Sequence, residues 1–262
     1  MNIIVCVKQV PDPETPPSGF KVDAPAKQVI PPLGTAPVIN PFDENAVEAA
    51  LKLRDTYGAR VTALTMGHLD AEDVLRQAMA MGVDEGVLLQ YPLTDGFDSF
   101  STAYRLAAAI RKLGGADLIL CGREAADWNS GQVGLGIAEL LGLPGVSLVK
   151  NIQLVSDKLK VERVVPNGYE IIEVALPALL TITNELGTPR LPTVKGVLAA
   201  TKKAITSWSM SDIGISADSD RRLRLVELVI PVYQRKCHIF KADTLEEAAV
   251  ALAKKITELV PG

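Results

Sequence analysis

The residues best placed to do chemistry form one polar, glycine-bearing run, Arg123-Glu124-Ala125-Ala126-Asp127-Trp128-Asn129-Ser130-Gly131-Gln132-Val133-Gly134. It follows an apolar stretch closing on Cys121-Gly122 and leads into a helical pattern. A strand, a glycine-bearing loop and a helix start offer unpaired backbone N–H groups and a positive helix end, which suit a phosphate, and the loop side chains could border an adenosine. Such loops also serve simply as helix entries, so the run alone leaves both uses open. Trp128 suits either a ligand contact or an interface anchor.

Other chemistry has less support. The three cysteines, Cys6, Cys121 and Cys237, are far apart and lack CxxC spacing, and only His68 and His238 could join them, so neither a disulfide framework nor a zinc site is expected. Cys6 and Cys121 each close an apolar run, where a cysteine acts as a small buried hydrophobe more often than as a nucleophile. His68 follows a strand end without an acid or serine partner and reads as a loop residue. No GxGxxG opens the chain, and neither GxxxxGK[ST] nor GxSxG occurs, which removes the usual dehydrogenase, P-loop and nucleophile-elbow signatures.

The elements that must position the loop alternate between two hydrophobic periods. Apolar runs at 2–7, 61–66, 86–89 and 117–121 predict strands. Between them, helical spacing predicts a helix from Asn40 as N-cap and Pro41 as first residue to Gly58, a second through Val74–Gly82, a third capped by Ser99 and ending at Gly114, and a fourth over Gly131–Leu141. Strict alternation implies an α/β fold with a parallel sheet covered on both faces. After Pro144 the period changes to two over 147–155, 158–165 and 169–175, with turn residues between, predicting antiparallel hairpins at the sheet edge. The run 178–183 is expected to return to the main sheet. Residues 184–220 show no sustained period and are expected to form a functional arm or a wrap around another chain. An amphipathic helix over 244–259 closes the pattern. The division expected is 1–183 as the nucleotide-binding domain and 184–262 as arm and C-terminal helix.

Composition agrees with a globular protein. The chain has 262 residues, 48% hydrophobic and 22% charged, with a net charge of −4 spread along its length, which disfavours disorder and a nucleic-acid-binding patch. The apolar opening is too short for a signal peptide and no run approaches the roughly 18 residues of a membrane span, so a cytoplasmic protein is expected. In an open parallel sheet ligands collect at the carboxyl ends of the strands, here Cys6-Val7-Lys8, Met66-Gly67 and Cys121-Gly122-Arg123, beside the helix start Asn40-Pro41-Phe42-Asp43. The residues themselves therefore indicate a nucleotide site without a catalytic constellation. A nucleotide-hydrolysing or adenylating enzyme and a nucleotide sensor both remain open on that reading.

The order and spacing of Val5-Cys6-Val7-Lys8-Gln9-Val10-Pro11-Asp12, Asn40-Pro41-Phe42-Asp43, Ala78-Met79-Ala80-Met81-Gly82-Val83-Asp84 and the Cys121–Gly134 loop resemble the β subunit of electron-transfer flavoproteins over nearly the whole chain. The hairpin residues Val161-Glu162-Arg163, Gly168-Tyr169-Glu170-Ile171-Ile172 and Pro177 to Thr181 resemble that family's signature, although Pro166-Asn167 stand where it carries acidic or glycine residues. The resemblance implies a flavodoxin-like or adenine nucleotide α hydrolase-like fold, a C-terminal arm wrapping a partner, and a heterodimer with an α subunit that holds most of the contacts to an FAD. It implies that Cys6, Asn40, Pro41, Phe42, Asp43, Met66 and Gly122 through Gly134 line a nucleotide site in this chain. It also implies docking on an acyl-CoA dehydrogenase-like or quinone-reducing partner through Pro189, Arg190 and Val194, the last standing where the family usually has leucine. Members that hold AMP carry a segment like Asn-Gln-Thr-Gly, and electron-bifurcating members one like Ala-Gln-Val-Gly. Here Gly131-Gln132-Val133-Gly134 resembles the second, which implies FAD in this subunit and NADH as electron donor, with AMP as the alternative.

Overall fold

The computed structural model describes residues 1–91, 98–215, 222–230 and 237–259. It divides into two compact units, Met1–Leu228 and Val229–Gly262. In the first unit the strands are β1 (Asn2–Cys6), β2 (Gln9–Pro11), β3 (Lys21–Asp23), β4 (Gln28–Ile30), β5 (Pro37–Ile39), β6 (Arg60–Gly67), β7 (Glu85–Gln90), β8 (Leu118–Gly122), β9 (Gly145–Val155), β10 (Lys158–Val165), β11 (Gly168–Ala175), β12 (Ala178–Ile182) and β13 (Ile205–Trp208). Its α-helices are α1 (Pro41–Tyr57), α2 (Glu72–Met81), α3 (Ser99–Lys112), α4 (Val133–Leu141) and α5 (Val194–Ala200).

Nine strands form one sheet in the order β11-β10-β9-β12-β8-β1-β6-β7-β13. All neighbouring pairs from β9 to β13 are parallel, and the β9-β10-β11 hairpins are antiparallel. Both expectations from the sequence, the parallel centre and the edge hairpins, hold. The chain runs from β1 outward to β6 and β7, then crosses through α3 to β8 on the other side of β1. The boundary between β1 and β8 is therefore a topological switch point, where loops leave in opposite directions and open a crevice at the strand ends.

Alternate side chains of the central strands enter two cores. Ile3, Val5, Leu118 and Leu120 pack with α1 and α2 on one face. Ile4, Cys6, Ile119 and Cys121 pack with α3 and α4 on the other. This two-sided burial explains why these strands read as continuous apolar runs.

Two helix boundaries differ from the sequence reading. Helix α3 is capped by Asp98, whose carboxylate accepts from Ser101 N at 2.6 Å, while Ser99 is already helical. Helix α4 begins at Val133 because Gly131, at φ +61°, is in the left-handed region and cannot belong to it. Asn40 occupies the N-cap position of α1, but its side chain makes no cap bond. The segment without sustained period also contains elements: α5, and β13 paired in parallel with β7. They are too short, and α5 too exposed, for a period to register in sequence. In the second unit a helix, α6 (Leu245–Leu259), begins where Thr244 Oγ1 accepts from Glu247 N. Among the described residues no helix is long and apolar enough to cross a membrane.

Leu120 is fully buried on a central strand. Leu120→Ala should lower unfolding stability by about 2–5 kcal/mol in urea denaturation, with the midpoint shifted and the slope unchanged.

Candidate functional site

The candidate site lies at the switch point and is organised by a buried carboxylate. Asp43, in the first turn of α1, accepts from Lys8 N at 2.8 Å through Oδ2 and from Gly122 N at 2.9 Å through Oδ1. These N–H groups belong to the residues where the chain leaves β1 and ends β8, so one side chain ties the lips of the crevice together. Gly122 is required for this approach: a Cβ there would overlap Asp43 Oδ1 and come within 2.7 Å of the Phe42 carbonyl carbon.

Asn40 extends the same construction. Its Nδ2 donates to Glu124 O at 2.8 Å and its Oδ1 accepts from Ala126 N at 3.0 Å, while its own N–H donates to Lys8 O at 2.9 Å. A side chain that periodicity marks as a helix cap instead clasps the loop after β8. Pro41 then opens α1, its missing N–H costing nothing in the first turn. Phe42 lies under the Arg123 guanidinium, with 4.5 Å from Cζ to the ring centroid, and Arg123 also pairs with Glu124 at 2.7 Å.

Lys8 closes the crevice from the β1 side. Its Nζ lies 2.7 Å from both carboxylate oxygens of Asp127. The sequence reading places Lys8 at a strand end and within the opening Val5–Asp12 segment but not among the residues lining the site; its position directly after β1 was the available signal. Beyond Asp127, the Ala125 carbonyl accepts from Asn129 N at 2.8 Å, and Asn129 and Gly131 turn the chain with φ of +50° and +61°. Trp128 is 58% exposed, and Ser130 and Gln132 are also exposed. Gln132 is the N-cap of α4 but supplies no side-chain cap. The first-turn N–H groups of Val133, Gly134 and Leu135 therefore point out of the helix start without a side-chain acceptor. Gly134 brings that turn close to the sheet, since a Cβ would lie 2.8 Å from Thr181 Cγ2.

Cys6 and Met66 are on the opposite side of the sheet from Asp43's helix. Cys6 is buried in the α3/α4 core, and Met66 is half-buried against it. A hydrogen bond with Cys6, reinforced by burial, pushes the Cys121 thiol well above its ordinary range, so it stays protonated and packs as a small apolar group. His68 is exposed beside Asp70.

The arrangement brings together two ion pairs, Lys8–Asp127 and Arg123–Glu124, an uncapped helix start and a loop turned by residues of positive φ. The family model described as "Electron transfer flavoprotein domain" matches residues 33–213. The electron transfer flavoprotein subunit beta of Thermoanaerobacterium thermosaccharolyticum is 38% identical over 261 residues, 98% of each chain. The subunit beta of Clostridium acetobutylicum is 41% identical over 215 residues, 82% of this chain and 81% of that protein. The caffeyl-CoA reductase-Etf complex subunit CarD of Acetobacterium woodii is 41% identical over 220 residues, 84% and 82% of the two chains. The chain belongs to the electron transfer flavoprotein family.

In this electron transfer flavoprotein chain the residues singled out for docking differ in setting. Val194 is 79% exposed at the start of α5, whereas Pro189 and Arg190 are half-buried. The Arg190 guanidinium is taken up by α1, reaching Glu48 at 2.8 Å and Asp55 at 2.8 Å. Glu48 and Asn45, which sequence reasoning passed over, hold this segment from α1.

Burial pushes the Asp43 carboxyl up to about 7, against hydrogen bonds from Lys8, Asn40 and Gly122 that pull it down. Its folded value lies above its ordinary 3.8, so the folded chain holds a proton that the unfolded chain has released. Stability from this group is therefore greatest below about pH 4 and is lost as pH rises through about 7. Urea denaturation from pH 5 to 8 should show wild type losing stability relative to Asp43→Asn as pH rises. Parallel curves for the two proteins would contradict the assignment.

Proposed function

We propose that this chain is the β subunit of a heterodimeric electron transfer flavoprotein, holding an adenine dinucleotide, FAD, at the β1/β8 switch point. The observation that carries the reading is the uncapped first turn of α4 following the left-handed turn at Gly131, at the end of a loop that begins at Arg123 and is tied to Lys8 through Asp127.

The residues fit such a group in four respects. The outward N–H groups of Val133, Gly134 and Leu135 and the positive end of α4 suit a phosphate. Gly131 has no side chain, and a Cβ there would already lie in van der Waals contact with Arg123 O at 3.5 Å and Glu124 Cβ at 4.0 Å, so glycine leaves more room beside the loop than any other residue would. Val133 supplies a methyl where AMP-holding members of the family carry a threonine hydroxyl, which removes one donor to a terminal phosphate. Buried Arg123 Nε has no hydrogen-bond partner, which agrees with a site whose acceptors arrive with a ligand.

In this reading Asn40 and Asp43 fix the loop from Gly122 to Ala126 and keep the crevice lips at a set separation. Lys8 and Arg123, paired here with Asp127 and Glu124, would exchange those carboxylates for a phosphate, and Phe42 and Trp128 supply apolar surface. When bound, FAD supplies one- and two-electron transfer chemistry; the chain's own part is to bind and orient it. NADH is the proposed electron donor, a second FAD is held mainly by the α subunit, and electron bifurcation is the proposed mode of use. The name of the CarD relative, a subunit of a caffeyl-CoA reductase-Etf complex, supports an acyl-CoA dehydrogenase-like redox partner. The exposed apolar residues Leu191, Val194, Val197 and Leu198 are the proposed docking tip, and the apolar side chains of α6, including Leu252 and Ile256, the proposed contact with the α subunit.

Ligands released by denaturing the purified heterodimer and identified by mass and absorbance test the assignment. The expected result is two FAD per heterodimer. One FAD with one AMP would overturn FAD in this subunit, and a chain that forms no heterodimer on size-exclusion chromatography would overturn the subunit reading itself.

A further inference from the structure

Helix α1 carries a polar stripe directed away from the nucleotide site. Asn45, Glu48, Lys52 and Asp55 fall at helical spacing on one face, and each reaches the segment 186–190. Asn45 Nδ2 donates to Gly187 O at 2.8 Å, and Lys52 Nζ lies 3.5 Å from Leu186 O. Glu48 Oε2 accepts from the Arg190 backbone N–H at 3.1 Å and from Nε at 2.8 Å, and Oε1 accepts from the same guanidinium at 3.2 Å. Asp55 takes the remaining arm of the fork at 2.8 Å. The Arg190 fork is thus bound by two carboxylates about two turns apart on α1, and its hydrogen bond holds the Asp55 carboxyl below its ordinary range.

Glu48 is only 5% exposed, and a buried carboxylate is costly unless its oxygens are satisfied. All the partners shown for it come from Arg190. Three residues later Thr193 caps α5, accepting from Gly196 N at 3.0 Å. The far end of α5 is also held, because Arg76 of α2 donates to Ala200 O at 2.7 Å and Lys203 O at 2.6 Å. A short helix of seven residues has little stability of its own, so its orientation depends on these two anchors and on the packing of Ala200 and Gly196 against Met79 and Ala80 of α2. Between them Leu191 and Val194 are exposed.

We propose that Glu48 is a positioning residue for partner docking: through Arg190 it fixes the segment that presents Leu191 and Val194, and so lowers the ordering cost of binding. This rests on the reading of that segment as the docking tip. It gives Arg190 an internal role in place of a contact with the partner. It also makes α1 common to both jobs, with Asn40 to Asp43 at its start shaping the nucleotide site and Glu48 one turn further holding the tip.

The test uses the intact heterodimer, with a purified short-chain acyl-CoA dehydrogenase as the binding probe, in wild type and in the variants E48Q, D55N and V194E. Binding of the probe should weaken about tenfold, equivalent to roughly 1.4 kcal/mol, in both E48Q and V194E, with flavin content unchanged. Deuterium exchange of residues 187–200 should accelerate in E48Q and more modestly in D55N, and stay at the wild-type rate in V194E. Exchange that is the same in E48Q, D55N and wild type overturns the proposal whatever the docking result, and D55N decides it should E48Q not assemble. Weakened binding in V194E with wild-type binding in E48Q overturns the role of Glu48 and leaves the docking reading standing. Unchanged binding in V194E sinks the docking reading itself.

Discussion

A single buried carboxylate, Asp43, holds the ends of two neighbouring strands at the place where the sheet reverses its winding. Parallel sheets leave their carboxyl ends open wherever consecutive connections depart to opposite sides. Such a crevice has unpaired backbone N–H groups on both lips, which need acceptors. Asp43 satisfies one on each side, at the cost of burying a carboxylate, and that cost appears as an upward shift to about 7. The loop geometry follows from it. With Gly122 fixed, Asn40 can reach Glu124 and Ala126, and the chain then has a short path to the left-handed turn that delivers α4 with its first turn uncapped.

Helix α1 transmits that order to the rest of the unit. Its inward face contributes Ala46, Val47, Ala50 and Leu51 to the core, all fully buried, so the helix cannot shift without opening packed interior. Its two polar faces act from this fixed base. One contributes Asp43 to the crevice and the other contributes Asn45, Glu48 and Asp55 to the segment 187–190. A helix packed this firmly is a suitable reference for two sites that must keep a set relation, because buried charge pairs give little tolerance in direction.

Much of this was legible in the sequence because the elements are simple. The central strands are buried on both faces and read as apolar runs, and Pro41 and Gly58 bound α1 by their backbone preferences. The hairpins declare themselves by alternation and by turn residues such as Gly168. The loop from Gly122 to Gly134 could be picked out by composition and position. What composition could not supply was who binds whom. Asp43 meets Lys8 across 35 residues and Gly122 across 79, and Arg190 meets Glu48 across 142; no local period encodes such pairings. Asn40 does take the N-cap position read for it, but its clasp on Glu124 and Ala126 was hidden because the cap position and the clasp use the same residue type. Strand β13 escaped notice because four residues at a sheet edge, with two exposed, carry too little pattern.

Asp43 is the organiser of the proposed nucleotide site, and its replacement by asparagine tests that role most directly. An asparagine has one acceptor and one donor group in place of two acceptor oxygens, so it cannot accept from both Lys8 and Gly122 in the same way. Nucleotide stoichiometry of the purified heterodimer, measured after gel filtration in wild type and in Asp43→Asn, is the measurement. The account predicts that the variant loses the nucleotide of this subunit while the flavin of the partner subunit is kept. Retention of both at the wild-type stoichiometry would contradict it.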